Sequence, residues 1–104
     1  MLEQIKKLLG FAPPADFKKL IKDGAVIIDV RTREEFQTGH IKGALNLPLP
    51  LLNQHLQGLS KNKPIITCCA SGMRSAAAKS ALKAKGYTTV YNGGGWMSLN
   101  NKIR

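Results

Sequence analysis

Two continuous apolar runs, each followed by a segment of helical character, constrain this chain more than any other feature. "AVIIDV" (25–30) and "KPIITC" (63–68) lack the polar alternation of a half-exposed strand. Each therefore reads as a buried strand in a sheet covered on both faces. A third strand is expected at "TTVY" (88–91). Between the last two lies "RSAAAKSALKAKG" (74–86), the clearest helix in the sequence. Its alanines permit close approach to a sheet, Lys79 and Lys83 fall together on an exposed face, and Gly86 ends it. Strands alternating with helices predict an α/β fold with a parallel sheet and helices on both sides. In such folds, ligands gather beyond the carboxyl ends of the strands. "CCASGMRS" (68–75) lies at such a junction, between a strand end and a helix start.

The remaining segments fill in around that frame. Residues 2–9 read as a short amphipathic helix with Leu2, Ile5, Leu8 and Leu9 on one face and Gly10 as its stop. This divides the chain into an extension over 1–11 and a single domain over 12–104. "ADFKKLIKDG" is a second helix, capped by Asp16 and terminated at Gly24. Thr32 and Glu35 are spaced as a capping box for a helix beginning at "TREEF", and Arg31 and Glu35 are spaced for a helical ion pair. "TGHIKGALNLPL" reads as turn, short strand and turn, and "PLLNQHLQGL" as another short helix. "NGGG" (92–95) is expected to be a loop before a closing helix at Trp96.

Charge separates the two parts of the chain. All six carboxylates lie within the first 35 positions, whereas residues 36–104 carry nine Lys or Arg and no acid, within a total of +10. A uniformly positive segment attracts small anions and favours a thiolate over a thiol. The basic residues are scattered, without a groove-reading motif or stacking aromatics, so nucleic acid is not an expected partner. No window approaches the ~18 apolar residues of a membrane span, and the N-terminal stretch lacks the apolar core of a secretory signal. Both cysteines of the chain, Cys68 and Cys69, are sequence neighbours that cannot staple a fold. A reducing, cytoplasmic setting is expected.

The spacing Cys69-x-x-Gly72-x-Arg74-Ser75 has a direct chemical meaning. The peptide N–H groups that follow Cys69 can curl around its sulfur if one residue accepts an unusual backbone angle, and Gly72 is suited to that. The loop opens a helix, so the orphan N–H groups and the dipole of that helix point to the same place. Arg74 adds a permanent positive charge. Together these features favour a thiolate held in an anion-binding cradle.

On these residues the chain resembles the rhodanese family of sulfurtransferase domains, from about Ala15 to Lys102. "IIDVRTREEFQTGHIKGALNLPL" is similar to that family's first signature, and "CASGMRS" to its active-site loop. The resemblance implies a three-layer α/β/α fold around a mainly parallel five-stranded sheet. It also implies that Cys69 is the sulfur-carrying nucleophile, with the amides of Ala70, Ser71, Gly72, Met73 and Arg74 binding the transferred sulfur or its oxyanion. "GGGWMSLNN" resembles the closing element of the family, with Leu99 standing where a second tryptophan is frequent. No metal or organic cofactor is implied.

Counted from Cys68, the loop reads Cys-x5-Arg, the spacing of tyrosine phosphatases and of the cell-cycle phosphatases that share the rhodanese fold. Gly72 argues for Cys69, being three residues beyond it as in both families' loops, and no aspartate after position 35 offers a general acid. Cys68 is expected to point into the core beneath the loop. His40 is expected to belong to a turn, His55 to be exposed, and Trp96 to be a packing residue near the glycine loop. The expected function is transfer of sulfane sulfur from an anionic donor such as thiosulfate to cyanide or a thiol, with a protein as one candidate acceptor. The enzyme is expected to act as a monomer. The alternatives are a phosphatase or arsenate reductase on the same loop, and a non-enzymatic sulfur carrier or partner-binding module.

Overall fold

Asp16 opens the first helix of the described chain. The computed structural model describes residues 15–104, so the helix expected over 2–9 lies outside the described residues. The Asp16 carboxylate accepts the Lys19 N–H at 3.1 Å and caps α1 (Phe17–Lys22). Strand β1 (Val26–Asp29) follows. The expected capping box then starts α2 (Arg33–Thr38): Glu35 N–H donates to Thr32 Oγ1 at 3.2 Å, and Thr32 N–H donates to Glu35 Oε1 at 3.1 Å.

The short strand β2 (Leu45–Asn46) leads into a 3-10 helix, Leu49–Gln54. Pro48 and Pro50 supply no N–H donors at its start, which suits a short, tight helix better than an α-helix. Strand β3 (Ile65–Cys69), helix α3 (Met73–Ala84), strand β4 (Val90–Gly95) and helix α4 (Trp96–Ile103) complete the fold.

The sheet order is β2-β1-β3-β4, and every pairing is parallel. Among the described residues it has four strands. Residues 92–95, expected as a loop, instead form the last four of the six residues of β4. Asn92 lies opposite Thr67 and Gly95 opposite Cys69, with a register shift between Thr67 and Cys69. Glycine is unfavourable in strands, so composition conceals this pairing. The need for glycine is tertiary: a Cβ on Gly95 would lie 2.8 Å from the Ala70 carbonyl oxygen.

Strand alternation divides the core into two layers. Ile28, Val30, Ile65, Cys69 and Val90 face α3 and the 3-10 helix, where they pack with Ala78, Leu82 and Leu52. Ile27, Ile66 and Cys68 face the opposite way, packing with Ile41 and Leu99 and with the partly buried Phe17, Leu20, Trp96 and Ile103 of α1 and α4. The sheet is thus covered on both sides, as the apolar runs require.

One charged cluster is buried at the end of β1. Asp29 is wholly buried and Arg31 nearly so. Arg31 Nε donates to Asp29 Oδ1 at 3.0 Å and Nη2 to Oδ2 at 2.8 Å. Arg31 Nη2 also donates to the Gly39 carbonyl at 2.7 Å, and its guanidinium lies 4.7 Å from the centre of the Trp96 ring. Arg31 is therefore paired with Asp29 and not with the Glu35 carboxylate, contrary to the helical spacing. It precedes the N-cap Thr32, outside the helix, so the i,i+4 geometry does not apply. Removing the cation would strand a buried carboxylate. Arg31→Met is expected to lower the unfolding free energy by about 3–5 kcal/mol, measured by urea denaturation, and Asp29→Asn in the same chain should restore part of it. A loss below about 1 kcal/mol, the value of a surface pair, would show that the pair does not brace the fold.

Candidate active site

The two cysteines occupy successive strand positions, so their side chains leave opposite faces of the sheet. Cys68 points into the core, as expected, but into the layer of Ile27, Ile66 and Leu99 on the face away from the loop and not beneath it, while Cys69 points into the layer beneath α3. Both are buried. Cys69, however, is covered by its own loop, whose Ala70 and Ser71 are exposed. Burial pushes the Cys68 thiol up to about 12, and the nearby Asp29 carboxylate adds to that rise. A thiol at that value is inert at neutral pH.

Cys69 responds in the other direction. Burial opposes its ionisation, but hydrogen bonds outweigh that cost and bring its pKa below the ordinary thiol value. The Ser75 hydroxyl contributes most, followed by the backbone N–H groups of Ser75, Gly72 and Ser71. The Gly72 N–H donates to Sγ at 2.9 Å. This requires the chain to double back beside the sulfur, and Gly72 does so at φ 105°, in the left-handed region that a side chain would strain. Gly72 is also the N-cap of α3, so the amino end of a 12-residue helix points at the same site.

Ser75 and Asn92 form the floor of the cradle. The buried Ser75 Oγ lies 3.5 Å from Cys69 Sγ, 2.6 Å from Asn92 Oδ1 and 3.0 Å from the Gly72 carbonyl oxygen. A hydroxyl has one hydrogen to share among these neighbours. When Cys69 is a thiol, it can donate to Ser75 while Ser75 donates to Asn92. When Cys69 ionises, the serine hydrogen must turn to the sulfur. Asn92 accommodates that turn because its Oδ1 also accepts the Gly94 N–H at 2.9 Å, while Nδ2 donates to the Gly72 carbonyl at 3.2 Å. The role of Asn92 was not legible in "NGGG", a segment that reads as a turn and reveals nothing of its neighbour across the sheet.

Arg74 stands at the rim in a different relation from the one expected. Its guanidinium forms a two-pronged pair with Glu35, Nη1–Oε1 at 2.6 Å and Nη2–Oε2 at 2.9 Å. The hydrogen bond from Arg74 pulls the Glu35 carboxyl down to about 2, with the Thr32 N–H contributing further. Reciprocally, Glu35 raises the pKa of Arg74, and the charge on Cys69 adds less. The donors that lower the Cys69 pKa most are thus loop and serine groups. Met73, the first residue of α3, is highly exposed.

Other sequence candidates lie outside the cradle. His40 stacks on Phe36 with ring centres 3.7 Å apart, and its Nδ1 lies 2.7 Å from the Phe36 carbonyl oxygen, a turn contact as expected. His55 is exposed. Leu99 is fully buried in the Cys68 layer, so it belongs to the core. Among the described residues, no three His, Cys, Asp or Glu side chains come together as a metal site.

Comparison with known proteins gives this geometry a context. The family model for the rhodanese-like domain matches residues 13–102. An uncharacterized protein, YqhL of Bacillus subtilis, is 40% identical over 81 residues, which are 77% of this chain and 64% of that one. The thiosulfate sulfurtransferase PspE of Escherichia coli is 39% identical over 70 residues, covering 65% of this chain and 67% of PspE. Among solved structures, the human single-domain sulfurtransferase TSTD1 superimposes with a TM-score of 0.76 at 28% identity, covering 88% of this chain and 97% of that one.

The asymmetry of the two thiols is directly measurable. Iodoacetamide labelling with peptide mapping should modify Cys69 with a midpoint below the ordinary thiol value of about 8.5, leaving Cys68 unmodified in the folded protein. Ser75→Ala removes the leading donor to the thiolate and should move that midpoint to higher pH, and by more than Arg74→Ala does. A midpoint unmoved by Ser75→Ala would remove the hydroxyl from thiolate stabilisation.

Proposed function

The chain belongs to the rhodanese-like domain family, and from that premise we propose that it is a sulfurtransferase working through a persulfide on Cys69. The observation that carries the proposal is the Cys69 sulfur, stabilised as a thiolate by the Gly72 N–H at 2.9 Å and by Ser75 at the amino end of α3. The relatives named as sulfurtransferases support the reaction class.

In the proposed first step, the Cys69 thiolate attacks the outer sulfur of a donor such as thiosulfate. A new S–S bond forms while the old one breaks, and sulfite leaves with the electron pair. The terminal sulfur of the resulting persulfide carries the negative charge, and the amides of residues 70–74 form the cradle that receives it. In the second step, cyanide or a thiolate attacks that terminal sulfur and Cys69 leaves as thiolate, ready for another cycle. The chemistry needs no cofactor. The covering loop must part slightly for either partner to reach the sulfur. The proposed role is that of a monomer in a reducing, cytoplasmic compartment, which would keep Cys69 available as a free thiol.

The spacing from Cys68 to Arg74 does not favour phosphatase chemistry, because Cys68 faces the opposite layer from the loop. Incubation with thiosulfate followed by intact-mass measurement tests the reading: the protein should gain one sulfur atom, and cyanide should remove it. Cys69→Ser should abolish the gain, while Cys68→Ala should retain most of it. Transfer that survives Cys69→Ser would overturn the assignment.

The basic segment is assigned a part in donor capture. Residues 36–104 contain no carboxylate to offset their nine cations, so the second-order rate of persulfide formation from thiosulfate should fall as salt rises. Screening limits the field to about 10 Å at 0.1 M. Rates that stay flat with salt would assign the charge to solubility or to a macromolecular partner.

A further inference from the structure

Arg74 sits in the first turn of α3, at the mouth of the Cys69 loop, but both prongs of its guanidinium are occupied by Glu35, at 2.6 and 2.9 Å. Glu35 is itself held in place. Its Oε1 also accepts the Thr32 N–H at 3.1 Å and the Thr32 hydroxyl at 3.2 Å. Its main-chain carbonyl accepts Arg31 Nη1 at 3.3 Å. The carboxylate is therefore fixed by the first turn of α2 and by the buried Arg31, and the arginine comes to it. Each side chain of the pair is 36% exposed, so the contact lies at the rim, within reach of an incoming anion.

Resting on the reading of Cys69 as nucleophile, we propose that Glu35 determines donor specificity. It competes with the oxyanion of the donor for Arg74, weighting the site toward sulfur donors of low charge, such as alkyl hydropersulfides, over dianionic thiosulfate.

The two donor classes differ at the moment of transfer. With an alkyl hydropersulfide, the Cys69 thiolate attacks the outer sulfur and the S–S bond breaks toward the inner one. An alkyl thiolate leaves, and Cys69 keeps the sulfur and its proton as a hydropersulfide. The leaving group carries a single charge. With thiosulfate, the leaving sulfite carries two charges and would be best received by a free guanidinium. While Glu35 holds Arg74, the rim offers a neutralised pair, and the donor must displace a carboxylate to gain the arginine. Glu35 stays ionised across the neutral range, its carboxyl being pulled to about 2 first by Arg74. The competition is therefore constant and is not relieved by ordinary changes of pH.

The test uses two reagents that differ in charge but react at the same atom. Rates of Cys69 alkylation by iodoacetate and iodoacetamide are compared in the native protein and in Glu35→Gln. Glutamine can maintain the capping box while removing the charge that holds Arg74. The iodoacetate-to-iodoacetamide ratio should rise about fivefold at low salt, the upper range of an exposed pair. The thiosulfate rate should rise with it, and both gains should shrink as salt is added. Glu35→Asp, which keeps the charge but shortens the reach, should also raise the ratio. Glu34→Gln, an exposed neighbour, should change it by less than about twofold. In an Arg74→Met background, Glu35→Gln should produce a much smaller gain.

An unchanged ratio in Glu35→Gln with Cys69 still labelled, or an equal gain without Arg74, would overturn the inference and leave the sulfurtransferase reading intact. Absence of any Cys69 persulfide from an alkyl hydropersulfide as well as from thiosulfate, with the alkylation ratio still responding to Glu35, would instead count against that reading.

Discussion

The buried guanidinium of Arg31 is the contact on which the arrangement of the site depends. It satisfies the Asp29 carboxylate at the end of β1, binds the Glu35 carbonyl within α2 and the Gly39 carbonyl just past its end, and lies over the Trp96 ring at the start of α4. Asn46 Nδ2 closes the same knot by donating to the carbonyls of Asp29 and Arg31, at 3.1 and 2.9 Å. A buried ion pair does not by itself favour folding over an apolar packing of equal volume, because desolvation offsets its attraction. It does fix direction, since each N–H of the guanidinium requires an acceptor at a set angle. The ends of β1, β2, α2 and α4 are brought to one place by that requirement.

Cys69 is activated by backbone and neutral side chains more than by a formal charge. A parallel strand ends at the sulfur, a glycine turns the amide of the loop back toward it, and the amino end of a helix begins within the same few residues. These dipoles already point at the sulfur, so ionising the cysteine requires little rearrangement beyond the turn of one serine hydroxyl. Asn92 makes that turn feasible by tying the serine, the loop carbonyl and the β4 backbone together. Such a cradle suits a charge that appears on one sulfur, moves to a second sulfur and returns.

Overall charge and local charge thus act at different scales. The total of +10 and the lack of carboxylates after residue 35 create a long-range field, which draws anions to the surface in general. At the rim, Glu35 cancels the cation nearest the loop. On the proposed reading, donor capture and donor selection are set separately, the first by scattered lysines and the second by one ion pair.

Features that depend on near neighbours are legible in the order of residues alone. The capping box of Thr32 and Glu35, the cap at Asp16, the buried strands, the alanine-rich helix and the cysteine three residues before Gly72 are contacts of short span, written in spacing and residue type. That Cys68 is buried in the core was legible from the apolar run, but its place in the layer away from the loop was decided by the fold. Pairings between distant segments are set by the fold. Glu35 and Arg74 are 39 residues apart and Ser75 and Asn92 are 17 apart, and neither pair leaves a mark in local composition. The glycines of β4 leave no strand signal for the same reason, since their value lies in what a side chain would strike across the sheet. Near the sequence neighbour Arg31, Glu35 had a plausible local partner; the fold instead gave Arg31 to a buried carboxylate, which needs a cation far more than an exposed one does.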